Sequence, residues 1–368
     1  MFRIQVKTFR NLDKKLLIAL VLLISYGFIV LNSATLSLER DFLPSQMVST
    51  LIGFFILIFI NIMGLDLFKK LHIPIYLFTV FLLVLVLIFG VGEEEWGANL
   101  WLRIGPLSFQ ASEVAKIGLI LSLGRYVDLN KSQLDKPKVL LKILFFAFLP
   151  IVLVLLQPDT GTAIVMILIV ITMLFTAKVH MKYFIGAGVL GLSSLPFVYL
   201  NLDDFQKQRI LNFLNPERDL SNTGYQAMQS KIAIGSGRFL GKGLNQGLQT
   251  QYNFIPEKQT DFIFAVLVEE LGFVGGFVLI LLYALLLYRM IAIARQTRDF
   301  YSKLVVMGIF AMFLFHVFEN IGMSIGLMPI TGIPLPFFSY GGTFQIANIV
   351  AIGIVLAISS QKNPLSFK

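Results

Sequence analysis

The chain of 368 residues contains no cysteine. Disulfides, thiolate metal sites and a cysteine nucleophile are therefore excluded, while the redox compartment stays open. Histidine is scarce, with three residues and no clustering, so a structural zinc site is not expected. Charge is also thin: Asp, Glu, Lys and Arg make up 14% of residues, against about a quarter in soluble domains. No internal repeat is visible, so the paired halves common in transporters are missing. What fills the chain instead is apolar, 57% of it, with 35 Phe and a mean hydropathy of +0.81. Such a composition describes a polytopic membrane protein. The net charge of +9 points to anionic lipid headgroups and to orientation in the bilayer; no nucleic-acid partner is expected. The first apolar run, 16–35, is too long for a signal-peptide core and reads as a retained helix.

A hydrocarbon core takes about 20 apolar residues per helix. On that ruler the sequence predicts an all-α fold of about ten transmembrane helices, at 14–35, 45–63, 73–91, 111–127, 139–157, 161–177, 183–201, 262–288, 302–324 and 343–360. With the N-terminus inside, most of the 30 Lys and Arg fall on the short cytoplasmic connections, which places both termini in the cytoplasm. Three segments on the opposite side exceed minimal connections: 92–112 with Trp96, Trp101, Arg103 and Gln110; a large extracytoplasmic loop, 202–260; and the Pro- and Gly-rich 325–342. The whole reads as one domain, 1–368, with that loop inside it. Irregular backbone at membrane depth survives only against protein or a wet cavity, so the candidate site is expected on this side.

Asp261 sits where the large loop meets an apolar run, in Pro256-Glu-Lys-Gln-Thr-Asp261-Phe-Ile-Phe-Ala265. It is either a first-turn acid favouring the helix dipole or a general base at the membrane surface. Glu113 and Lys116 lie three apart on one helix face, as a plain ion pair or as a cation held toward a cavity to bind phosphate. Gln157-Pro-Asp-Thr-Gly-Thr162 is a tight turn whose Asp159 could cap the next helix or line the cavity. Arg103, Arg209, Arg218, Lys231, Arg238, Lys242 and Lys258 give the outer side a basic lining. The Gly-rich stretch 234–243 fails the phosphate-loop spacing, because Lys242 is followed by Gly243, and no nucleotide is expected. His316 with Glu319, and Glu269 with Glu270, read as buried helix-packing polar groups. No Ser/His/Asp triad or paired glycosidase carboxylates can be assembled from spacing.

Four motifs in order, Gln110-Ala-Ser-Glu-Val-Ala-Lys116, Gln157 to Thr162, Pro256 to Ala265, and Asn320 through Phe-Phe-Ser339-Tyr-Gly-Gly342, resemble the SEDS family, the RodA/FtsW group of membrane peptidoglycan glycosyltransferases. The resemblance covers essentially the whole chain. In the large loop, Gln208 to Asp219 and Gly224 to Gly237 are similar to the RodA, or elongation, type. It implies an inverting polymerisation of lipid II, an undecaprenyl-pyrophosphate disaccharide-pentapeptide, into β-1,4 glycan strands. The reaction would run at the outer face of a bacterial cytoplasmic membrane during elongation and shape maintenance. Asp261 matches the family's essential acid, and Glu113, Lys116 and Arg209 match its polar cavity. Further substrate contacts are expected at Trp101, Arg103, Gln110, Gln157, Asp159, Thr162, Glu257, Ser339, Gly341 and Gly342. The family works with a class B penicillin-binding protein and with a divalent cation, Mg2+ or Mn2+, whose ligands the sequence does not reveal. Two positions depart from the pattern: Gln259 stands where His is usual, and Phe344 where a small residue is usual. The alternative is a lipid II flippase, which shares the spans and the basic cavity but would place its key acid near the midplane.

Overall fold

The computed structural model describes residues 12–92, 99–104, 107–200, 207, 211–213, 215 and 223–361. Each predicted span is a helix: α1 (Lys14–Thr35), α2 (Leu43–Met63), α3 (His72–Phe89), α4 (Ala111–Leu129), α5 (Pro137–Leu155), α6 (Thr160–Thr176) and α7 (Met181–Leu200). Within the large loop α8 (Thr223–Gly237) follows, and then α9 (Ile263–Gln296), α10 (Phe300–Ser324) and α11 (Gly342–Ser360). Among the described residues, seven helices are long and apolar enough on their own to cross a membrane. Of the others, α4 carries Glu113, Lys116, Arg125 and Asp128, and α6 has only 17 residues. Helices are the form these runs take because hydrocarbon offers backbone groups no other partner. Side chains close several N-termini: Asp13 accepts from Leu16 N at 3.0 Å, Asp159 from Thr162 N at 3.0 Å and Asp299 from Ser302 N at 3.0 Å.

The bundle is layered around α10, which packs against α4, α6 and α9; α2 lies along α11, α3 along α4, and α1 against α9. Leu20, Leu119, Met166, Leu267, Val305 and Ile352 are among the buried residues of the single large core. By contrast α7 is exposed along most of its length, as an apolar helix facing lipid would be.

Three features go beyond the predicted plan. The one sheet among the described residues is a two-stranded antiparallel hairpin, β1 (Trp101–Ile104) with β2 (Leu107–Gln110), paired Trp101 to Gln110 and Arg103 to Ser108. The all-α expectation holds for everything else described. Second, the large loop is not structureless: α8 packs against α9. Third, α9 extends to Gln296 and breaks at Gly272, whose φ of 67° and ψ of −166° lie outside the helical region. The groups freed by this break pair with the loop: Lys242 N donates to Glu269 O at 3.0 Å, Gly243 N to Glu270 O at 2.9 Å and Phe273 N to Arg238 O at 2.9 Å.

At the end carrying both termini, Asp13 pairs with Arg289 and its amide donates to Ser359 Oγ at 3.2 Å, tying α1, α9 and α11 together. Lys69 pairs with Asp299 at 3.0 Å. Burial alone would raise the Asp299 carboxyl, but hydrogen bonds from Ser302 and Lys69 outweigh it and hold the group below its ordinary value.

Candidate active site

Asp261 is half-buried at the opposite end of the bundle, on a compact turn preceding α9. The turn is built on the Glu257 carbonyl, which accepts from Thr260 N at 3.1 Å, Asp261 N at 3.0 Å and Phe262 N at 3.2 Å. Glu257 itself has φ 48°, the left-handed region, and its exposed side chain accepts from Thr260 Oγ1 at 3.0 Å and Gln259 Nε2 at 3.2 Å. Phe262 and Phe264 turn into the core, anchoring the start of α9. The N-cap of α9 is Phe262, with no capping side-chain bond, so Asp261 is not the cap that its position alone suggested.

The turn is gripped from below by the irregular segment 325–341. Ser339 Oγ donates to Thr260 O at 2.5 Å and accepts from Leu335 N at 2.8 Å, and Tyr340 N donates to Gln259 O at 2.8 Å. Asn320 of α10 donates from one Nδ2 to both Asp261 O and Ile333 O, each at 2.9 Å. Gly332, with φ 74°, lies beside the acid, where a methyl group would be in ordinary contact with Asp261 Oδ2 at 3.5 Å. The main chain bearing the acid is thus fixed from three directions.

Deeper in the bundle lies a buried charged cluster. Lys116 Nζ donates to Glu113 Oε1 at 2.9 Å and to His316 Nε2 at 2.8 Å, and stands 5.8 Å from the centroid of the Phe344 ring. His316 Nδ1 lies 3.2 Å from the carbonyl oxygen of Pro334, again in the irregular segment. Glu319 accepts from Thr331 Oγ1 at 2.9 Å, and Asp159 Oδ2 lies 3.5 Å from Ser112 Oγ beside this cluster. His316, Glu319 and Asn320 share one face of α10, spaced three and four apart, and together they hold residues 331, 333 and 334. The expectation of an open cavity beside Lys116 is corrected here. The lysine is fully buried, and its ammonium is enclosed by Glu113, His316 and Phe344.

Several other sequence candidates also have internal partners in place of a free surface. Ser339 is fully buried, so a substrate contact gives way to a role in holding the Asp261 turn. Gly341 N donates to Gln46 Oε1 at 3.1 Å, and Gly342 abuts Ser49 of α2. Gln157 is buried and donates to Leu83 O at 2.9 Å. Asp159 caps α6 through Thr162 N, and Gln110 N lies 3.4 Å from Thr343 Oγ1. Trp101 is half-buried on the hairpin, and Arg103 is exposed there. Arg209 lies outside the described residues, as do Trp96 and Arg218. Among the described residues no three His, Asp or Glu side chains converge to hold a metal ion, so the expected divalent cation has no resident ligand set there.

A second polar junction supports the turn from the loop side. Glu269, buried one turn before the break in α9, accepts from Lys242 Nζ at 3.1 Å, Gln249 N at 2.9 Å, Thr250 N at 3.0 Å and Thr250 Oγ1 at 2.8 Å. Glu270 accepts from Ser33 Oγ at 2.6 Å and Gln251 Nε2 at 3.3 Å. Lys258, three residues before Asp261, donates to Ser37 Oγ and Thr250 O, both at 2.6 Å, and to Asn253 Oδ1 at 2.7 Å. Burial pushes the Lys258 ammonium down to about 8, against the opposing pull of Glu270 and Glu269.

Comparison with known proteins agrees with this architecture. The chain matches the profile of the FtsW/RodA/SpoVE family, described as "Cell cycle protein", over residues 14–364. It is 39% identical over 294 residues to the peptidoglycan glycosyltransferase MrdB of Escherichia coli (strain K12), with 79% of either chain covered. It is 40% identical over 283 residues to stage V sporulation protein E of Bacillus subtilis (strain 168), with 76% of either covered. Among solved structures, the rod shape determining protein RodA of Thermus thermophilus is 29% identical, with 95% of this chain and 97% of that one covered and a TM-score of 0.71. A chain of a peptidoglycan synthase complex described for the coordination of polymerization and crosslinking is 30% identical, with 96% and 99% covered and a TM-score of 0.84. With a family match spanning nearly all of its helices and full-length likeness to solved relatives, the chain belongs to the FtsW/RodA/SpoVE, or SEDS, family.

Proposed function

We propose that this protein is a peptidoglycan glycosyltransferase of the bacterial cytoplasmic membrane that polymerises lipid II into β-1,4 glycan strands in cell elongation. Relatives carrying that activity in their names and a fold shared with RodA support the enzyme class. The observation that carries the chemistry is Asp261: a half-exposed carboxylate at the end of the bundle away from the termini, its backbone fixed by Ser339 and Asn320. Both termini are assigned to the cytoplasm on the distribution of Lys and Arg, which sets Asp261 at the outer surface.

In the proposed reaction Asp261 accepts the proton of the acceptor sugar's 4-hydroxyl as that oxygen attacks the donor's anomeric carbon. The C–O bond to the lipid pyrophosphate breaks in the same displacement, so an α-linked donor yields a β-linkage with one base. Arg209 is assigned to the leaving pyrophosphate itself, and the enclosed Lys116 acts on the growing negative charge through its field and not by contact, the electrostatic effect that usually dominates such transfers. A divalent cation, Mg2+ or Mn2+, would add to the neutralisation of that charge. A class B penicillin-binding protein is the proposed partner, consistent with the likeness to a synthase complex that couples polymerization with crosslinking.

The test is Asp261→Asn, purified in detergent and given labelled lipid II. Loss of glycan strands by at least about a hundredfold, with unchanged extraction and melting, is expected, since one positioned base contributes on the order of 10²–10⁴. Strand synthesis within tenfold of wild type would refute the assignment of the base, and a wild-type protein that translocates lipid II without forming strands would favour a flippase.

A further inference from the structure

His316 lies buried in α10 with both ring nitrogens engaged, and nothing in the proposed reaction uses it directly. Its partners dictate its protonation. The Pro334 carbonyl can only accept, so Nδ1 must carry the proton. That leaves a lone pair on Nε2, directed at the Lys116 ammonium 2.8 Å away. A doubly protonated ring would set two cations against each other at that distance. The neutral Nδ1–H form is the only one that satisfies both neighbours.

Lys116 is therefore located by two acceptors on different helices, Glu113 on its own helix and His316 on α10, with the Phe344 ring over it. The glutamate alone leaves the ammonium free to swing on a flexible stem; a second acceptor about 200 residues away in sequence fixes it. His316 in turn is oriented by Pro334, one residue after the Ile333 carbonyl that Asn320 holds together with Asp261. The cation and the acid are thus referenced to the same stretch of main chain.

We propose that His316 is a positioning residue for the glycosyl transfer, acting through Lys116: it holds the ammonium at a set distance from the segment that carries the Asp261 turn. This rests on the reading of Lys116 as a charge that acts on the leaving pyrophosphate. Because the ammonium is enclosed, its effect depends on where it is held as charge develops, so the consequence is in turnover rather than in substrate affinity.

The experiment compares His316→Leu with His316→Gln in the full-length protein, purified with and without its class B penicillin-binding protein partner and assayed on labelled lipid II. The glutamine amide carries an acceptor and a donor on one planar group, as the ring does. Expected for His316→Leu is a kcat at least tenfold lower with KM changed less than threefold, and for His316→Gln recovery to at least a third of wild-type kcat. Melting in detergent is read in parallel for His316→Leu, Lys116→Met and the double variant. The double variant is expected to melt no lower than the lower single variant, because the leucine removes a bond already lost with the lysine. A leucine variant within threefold of wild-type kcat would overturn the proposal. So would glutamine and leucine variants equally impaired, or melting losses that simply add. If wild type forms no strands, the functional reading fails, while the melting comparison still decides whether His316 acts through Lys116.

Discussion

Replacing Ser339 by alanine removes one oxygen and takes the partner from two main-chain groups, one of them buried. The Leu335 amide loses its acceptor in a buried bond, and the Thr260 carbonyl loses its donor in a partly buried one. An unsatisfied buried group costs about 1–3 kcal/mol, so the stranded Leu335 amide alone destabilises the local fold by about that much. The chain relieves this by moving, and what moves is the turn from Glu257 to Phe262, because Thr260 directly precedes the acid. A displacement near 1 Å at a reacting group costs on the order of a hundredfold in rate. Expected for Ser339→Ala is therefore a polymerisation rate on the order of a hundredfold lower, with a clear fall in detergent melting temperature. Ser339→Thr, which keeps the hydroxyl, should lose less in both. The assay is strand formation from labelled lipid II beside a thermal melt on the same preparation. An alanine variant with wild-type melting and a rate within threefold of wild type would refute the claim that this hydroxyl holds the acid in place.

Two further outcomes follow from charges elsewhere in the bundle. Glu113 and Lys116 form a buried pair, with side chains 4% and 1% exposed, so removing one partner strands the other. Glu113→Gln or Lys116→Met alone should each destabilise by about 3–5 kcal/mol, whereas the double variant should cost much less, as a double-mutant melting cycle would read. At the other end Asp299 is held below its ordinary 3.8 by Ser302 and Lys69. A carboxyl depressed in the folded state contributes stability that is fully present above the unfolded value and is lost as pH falls through the lower, folded one. Melting should thus be flat with respect to this group above about pH 5 and fall below about pH 4, and Asp299→Asn should reduce that acid-side slope.

The spans are legible because each is a run of apolar residues about as long as a bilayer is thick; their ends differ by only a few residues, except that the span expected at 262–288 continues to Gln296. The hairpin carried a signal of its own, two four-residue runs around Gly105-Pro106, but a span count passes over segments so short. The break in α9 was marked by Glu269 and Glu270 beside Gly272, yet an apolar run on both sides makes such a stretch read as continuous helix. Glu113 with Lys116 could be read as a pair because the spacing is local. Their third member could not: His316 reaches Lys116 only through tertiary packing, although its place with Glu319 and Asn320 on one face of a span was visible. Ser339, Gly341 and Gly342 stood out as a motif, but sequence cannot distinguish a side chain that touches substrate from one that holds the backbone beside it.

The irregular segment 325–341 explains why these polar groups gather where they do. A non-helical chain among transmembrane helices needs a partner for every amide and carbonyl, and here several of the partners are side chains. His316 and Asn320 take the carbonyls of 334 and 333, Ser339 takes the amide of 335, and Tyr283 donates to the carbonyl of Pro336. Phe337, at φ 66°, brings its carbonyl against α1 so closely that a methyl group on Gly27 would lie 2.2 Å away. A bulky residue adopts that backbone only when its surroundings over-determine it. The segment is thus pinned by α1, α9 and α10 at once, and the same side chains that satisfy it also hold Asp261 and Lys116. A shift of this segment must therefore move the acid and the cation together, so substitutions on the α10 face should couple to variants of both rather than of either alone.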